Sequence, residues 1–131
     1  QEERGLPTGG ETILVVEDED GVRSFAGRAL AKCGYNIMVA TNGDEAIEIA
    51  SASAQPIDLL VTDVIMPGLG GGDVARQFLE LHPHAKVLFI SGYTDDTLLR
   101  CGVVSEDVIF LDKPFTVNVL AAKVRETLDR Q

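Results

Sequence analysis

The chain has 131 residues, with 11 Lys and Arg against 21 Asp and Glu, so its formal charge is −10 and its pI is near 4.5. That length fits one domain, which at this size buries roughly two-thirds of its unfolded surface, and 45% hydrophobic residues fill such a core without disulfide or metal staples. Disorder, collagen and disulfide scaffolds are excluded, and the acidic balance without a basic stripe argues against nucleic acid and anionic membrane as partners.

Residues 1–10 are polar, are punctuated by Gly5, Pro7, Gly9 and Gly10, and read as a linker, with one domain over 11–131. They lack the apolar stretch of a signal peptide, and no run approaches the roughly 20 apolar residues that span a bilayer, so a cytoplasmic chain without direct membrane contact is expected. From Thr12 onward, short apolar runs alternate with stretches of helical period, five pairs in all.

The first run, Ile13 to Val16, ends in Glu17-Asp18-Glu19-Asp20, and Val22, Phe25, Ala26, Ala29, Leu30 and Cys33 then predict a helix that Gly34 stops. A second strand, Ile37 to Ala40, leads to Asn42-Gly43-Asp44-Glu45, a capping-box pattern opening a helix through Ala52. The third strand, Ile57 to Asp63, runs into Met66-Pro67 and a glycine-rich turn before Val74, Ala75, Phe78 and Leu81 mark a third helix. The fourth, Val87 to Ile90, ends at Ser91-Gly92 and precedes a weaker helical stretch at about 95–100. The fifth, Val108 to Leu111, meets Lys113-Pro114, and Val117, Leu120, Val124 and Leu128 space out a last helix as a core-facing stripe.

Strands this apolar are buried on both faces, and right-handed helical crossovers between them give an α/β fold, a doubly wound five-stranded parallel sheet with five helices. Ligands in such sheets bind beyond the carboxyl ends of the strands, where strand order reverses. Those ends carry Glu17 and Asp18, Asp63, Ser91 and Lys113. Carboxylates crowded there need a cation or a proton on one of them, and Mg²⁺, which takes oxygen ligands and keeps open positions, suits them. Asp63 would then serve as nucleophile toward a phosphoryl group, Lys113 would hold a phosphoryl oxygen, and Ser91 would donate a hydrogen bond to another.

At these residues the chain resembles the receiver domains of two-component response regulators, over about Glu11 to Asp129. The likeness rests on Ile13-Leu14-Val15-Val16-Glu17-Asp18-Glu19, Asp63-Val64-Ile65-Met66-Pro67, Ile90-Ser91-Gly92 and Phe110-Leu111-Asp112-Lys113-Pro114-Phe115. It implies strand order 2-1-3-4-5, phosphorylation of Asp63, and Mg²⁺ held by Asp18, Asp63 and the backbone carbonyl of Ile65, with Glu17 acting through water. It further implies a switch pair, Ser91 and Phe110, a cis Lys113–Pro114 bond, and a histidine kinase or phosphotransfer domain as phosphodonor. A face around the fourth helix and fifth strand is the partner surface it suggests.

The wording from Gly9 to Glu19, with Ser91-Gly92-Tyr93-Thr94-Asp95-Asp96 and Lys113-Pro114-Phe115-Thr116, is most similar to receivers fused behind the kinase core of hybrid histidine kinases. A stand-alone regulator fits nearly as well, and a homodimer is a further partner to test. Ile65 and Tyr93, two residues beyond Asp63 and Ser91, are bulky where an attacking water must be oriented, which predicts slow self-dephosphorylation.

Other signals carry less. His82 and His84, flanking Pro83, read as a solvated loop rather than a metal pair, and Gly70-Gly71-Gly72 reads as a tight turn, since no Gly-Lys-Ser/Thr follows it. Cys33 and Cys101 read as small buried hydrophobes. An aspartyl phosphohydrolase of the D-x-D type would need an acid where Ile65 stands, and a flavodoxin-like cofactor site would set a phosphate against Glu17 to Asp20.

Overall fold

A computed structural model describes residues 8–66, 68–92 and 109–130. Its elements are β1 (Thr12–Val16), α1 (Asp20–Lys32), β2 (Asn36–Ala40), α2 (Gly43–Ala52), β3 (Leu59–Asp63), α3 (Gly71–Leu81), β4 (Lys86–Ser91), β5 (Ile109–Asp112) and α4 (Val117–Leu128). The strands form one sheet in the order β2-β1-β3-β4-β5, every pairing parallel. The helix expected near 95–100, together with Tyr93 and Cys101, lies outside the described residues.

Side chains that alternate along a strand point to opposite faces, and here each face is sealed by helices. Ile13 and Val15 of β1, Leu59 and Val61 of β3, Leu88 and Ile90 of β4 and Ile109 and Leu111 of β5 meet Ala26 and Leu30 of α1 and Leu120 and Val124 of α4. Their neighbours Leu14, Val16, Leu60 and Phe89 face Ala46 and Ala50 of α2 and Val74 and Phe78 of α3. The stripe of α4 is therefore core. Phe25 and Leu81, two of the apolar positions whose spacing predicts α1 and α3, are 40% and 43% exposed, Phe25 lying against the Phe115 ring with centroids 5.8 Å apart. No helix among the described residues is long and apolar enough to cross a membrane.

Local chemistry sets where each element starts and stops. Gly34 has φ +100°, a conformation open to glycine at little cost, and turns the chain out of α1 toward β2. At α2 the Asn42 Oδ1 accepts from the Glu45 amide at 2.8 Å, but the Glu45 carboxylate does not return to Asn42 as a capping box would. It accepts instead from the amide and the hydroxyl of Thr41, which together offer two donors. Asp58, expected within the third strand, precedes it: its carboxylate accepts from the Thr12 amide at 2.9 Å and its own amide donates to the Thr12 carbonyl at 2.8 Å.

His82 departs from the solvated loop expected of it. It caps the C-terminus of α3 half-buried, its ring stacked on Phe78 with centroids 5.2 Å apart. Nδ1 accepts from the buried Ile57 amide at 3.3 Å and Nε2 faces the Ala50 carbonyl at 3.0 Å, so the ring carries its hydrogen on Nε2 and ties α3 to α2 and to the approach to β3. His84 remains exposed, as expected.

Candidate functional site

The strand order reverses between β1 and β3, and the carboxyl ends of these two neighbours bring three acids together. Glu17, Asp18 and Asp63 each place a carboxylate oxygen within 4.8 Å of the others. Glu17 is fully buried, Asp63 is nearly so, and Asp18 is exposed at the rim. Gly71, in the turn that the glycine run was expected to make, lets α3 start against the back of this cluster. A Cβ there would stand 2.2 Å from the Asp63 carbonyl oxygen, closer than any side chain allows.

Lys113 reaches in from the end of β5, across the width of β4, through a cis Lys113–Pro114 bond. Its ammonium donates to Asp63 Oδ2 at 2.8 Å and lies 3.3 Å from Glu17 Oε1 and 3.6 Å from Glu19 Oε1. Burial disfavours its charge, but the hydrogen bond and charge of Asp63, followed by the charge of Glu17, outweigh burial and raise its pKa above the ordinary lysine value. The Ile65 amide lies 3.4 Å from the other Asp63 oxygen, Oδ1, at the outer limit of a hydrogen bond.

Glu17 is the most stressed group. Burial, and then the charge of Asp63, push its pKa up to about 7, with the Glu19 amide at 3.1 Å and Lys113 acting in the opposite direction. Its Oε1 has the ammonium nearby but off the hydrogen-bonding direction, and it is the one buried side-chain oxygen among the described residues that lacks a hydrogen-bond partner. Three acids against one lysine, with an orphaned oxygen among them, form a hard oxygen donor set that fits a divalent cation such as Mg²⁺.

Ser91 closes β4 one residue beyond Ile90, the register partner of Asp63, and is buried, its carbonyl accepting from the Lys113 amide at 3.1 Å. Phe110 sits on β5, half-buried against Phe89 with centroids 5.8 Å apart. Ile65 is half-buried against the α2–α3 core. The structure thus brings Glu17, Asp18, Asp63, Lys113, Ser91 and Ile65 to one edge, with Phe110 on the flanking strand. Sequence reasoning did not single out Glu19 or Arg23. Arg23 donates to the Glu17 carbonyl at 2.8 Å, and a basic residue one turn into a helix after an acidic loop is the signal that could have found it.

Known proteins are similar to the chain in sequence and in fold. The profile of the response regulator receiver domain family matches residues 13–125. The sensor kinase CckA of Brucella abortus is 40% identical over 124 residues, 95% of this chain but 13% of that protein. The response regulator receiver protein CpdR of Brucella abortus is 34% identical over 116 residues, 88% of this chain and 95% of that one. The crystal structure of the receiver domain from hybrid histidine kinase CckA is similar at a TM-score of 0.76 and 42% identity, covering 90% of this chain and 99% of that one. With an acidic cluster, a lysine and a hydroxyl at the carboxyl edge of a 2-1-3-4-5 sheet, and a family profile spanning nearly the whole domain, the chain belongs to the response regulator receiver domains.

Proposed function

We propose that the chain is a phosphoacceptor switch, taking a phosphoryl group from a histidine kinase or phosphotransfer domain onto Asp63 in a Mg²⁺-dependent reaction. The observation that carries this reading is the buried Asp63 carboxylate held by Lys113 at 2.8 Å beside the orphaned Glu17 oxygen. Asp18, Asp63 and the Ile65 carbonyl would hold the metal, with Glu17 reaching it through water. Bound Mg²⁺ would offset the carboxylate charge and polarise the incoming phosphoryl group.

Asp63 would form an O–P bond as the donor's P–N bond breaks, the electron pair leaving with the imidazole nitrogen, which takes up a proton. Lys113, already on the acceptor carboxylate, would follow the charge onto a phosphoryl oxygen. The Ser91 hydroxyl would donate to another, and the resulting shift at the end of β4 would be read on the β5 side through Phe110. Ile65, with Tyr93, would leave an attacking water unoriented and the phosphoryl group long-lived.

The likeness to the CckA receiver supports a module within a hybrid kinase. The second reading, a stand-alone cytoplasmic regulator, is favoured by the match to CpdR along 95% of that protein. In either setting the domain, taken as 11–131, acts on a protein partner or on a second copy of itself, not on nucleic acid or a bilayer.

Intact mass after incubation with acetyl phosphate tests the chemistry. A phosphoryl adduct that requires Mg²⁺ and is absent from Asp63→Asn is expected. An unmodified wild-type chain after prolonged reaction with Mg²⁺ would overturn the reading in favour of a constitutive binding module.

A further inference from the structure

We infer that Arg23 is a positioning residue for the acidic edge: by gripping the peptide that joins Glu17 to Asp18, it fixes the Asp18 carboxylate for a divalent cation. This rests on the Mg²⁺ reading above and adds a residue from outside the carboxylate set. Asp18 is exposed, and among the described residues its side chain makes no hydrogen bond or ion pair, so only its backbone holds it near Glu17 and Asp63. Yet the loop that carries it runs through acids at 17 to 20, which repel one another. Something must restrain that loop.

The start of α1 lacks the usual restraint, because its N-cap, Glu19, makes no side-chain capping bond. Arg23 takes over from one turn inside the helix. Its amide donates to the Glu19 carbonyl at 3.0 Å, Nη1 donates to the Glu17 carbonyl at 2.8 Å, and Nη2 pairs with Asp20. The Arg23 side chain is 17% exposed whereas that of Asp20 is 90% exposed, so the part-buried bond to the Glu17 carbonyl is the protected part of the contact. A peptide is planar, so fixing the Glu17 oxygen also fixes the direction in which the Asp18 Cα leaves. A rigid fork does this better than a single ammonium.

The test is thermal unfolding of the full chain across a MgCl₂ titration, from which the half-saturating concentration is read by its stabilising effect. For Arg23→Ala that concentration should rise about tenfold, as for other groups that orient a metal ligand, with Arg23→Lys between it and the wild type. A merely structural role would lower the metal-free Tm and leave the Mg²⁺ dependence in place, so an unchanged half-saturation in Arg23→Ala overturns the inference. If that variant does not fold, Arg23→Lys decides, at least about threefold being expected and no change overturning. A wild type whose Tm ignores MgCl₂ would instead overturn the metal reading itself, and with it this role for Arg23.

Discussion

Ile65 meets Asp63, the proposed acceptor, through its backbone. Its amide approaches Asp63 Oδ1 at 3.4 Å, while its side chain is half-buried against the α2–α3 core and would offer no polar atom to a water beside a phosphoryl group on Asp63. An asparagine there keeps the backbone contact and adds an amide that can hold a water in line, which lowers the barrier to hydrolysis. Ile65→Asn should shorten the lifetime of the aspartyl phosphate at least about threefold, a barrier change of roughly 0.6 kcal/mol. Loss of the mass adduct with time after removal of phosphodonor measures it, and a lifetime equal to or longer than that of the wild type contradicts the proposed role of the side chain.

At the scale of elements, His82 does work that its surroundings in sequence conceal. Removing the ring leaves the buried Ile57 amide without its acceptor and the Ala50 carbonyl without its partner, and strips a stacked ring from Phe78. An unsatisfied buried amide costs about 1–3 kcal/mol and a stacked pair about 0.5–1.5 kcal/mol. His82→Ala should therefore lower the unfolding free energy by roughly 2–3 kcal/mol in a urea titration, whereas exposed His84→Ala stays within about 0.5 kcal/mol. Equal midpoints for the two variants would contradict the tie between α2, α3 and β3.

His82 also marks the limit of what the sequence discloses. The strands and their carboxyl-edge residues were legible, because alternating apolar side chains fix which residues face each helical layer and parallel topology sends every strand end to one edge. Polar partners, whether distant or local, were not. Nothing near His82 in the chain announces Ile57 or Ala50, Thr41 takes the carboxylate that a capping box would send to Asn42, and Arg23 acts on a carbonyl, a group every residue has.

For the whole molecule, the two ends of the domain are joined by Arg125 of α4. Its guanidinium donates to both Glu11 oxygens, at 2.7 and 3.3 Å, across 114 residues of chain, and also to the Thr8 carbonyl at 3.0 Å. Asp129 accepts from it on the other side at 2.9 Å. The segment ahead of β1 is thereby fastened to the last helix, with Gly9 adding a bond from its amide to the Cys33 carbonyl at 3.1 Å. The Arg125 hydrogen bond is the main cause that lowers the Glu11 pKa from 4.5, with partial burial opposing it, and the pKa of Arg125 is raised so that it stays charged throughout.

A carboxylate whose folded pKa is depressed contributes stability that is fully present above its unfolded value and is lost as pH falls through the folded one. The clasp should therefore operate at neutral pH and fade below pH 4.5. Glu11→Gln should be less stable than the wild type at pH 7 by about 1 kcal/mol, the scale of a partly exposed bidentate pair, and the gap should close as both are unfolded in urea at successively lower pH. A gap that persists at pH 3 would mean that Glu11 acts through packing alone, and the two ends would then be joined by shape rather than by charge.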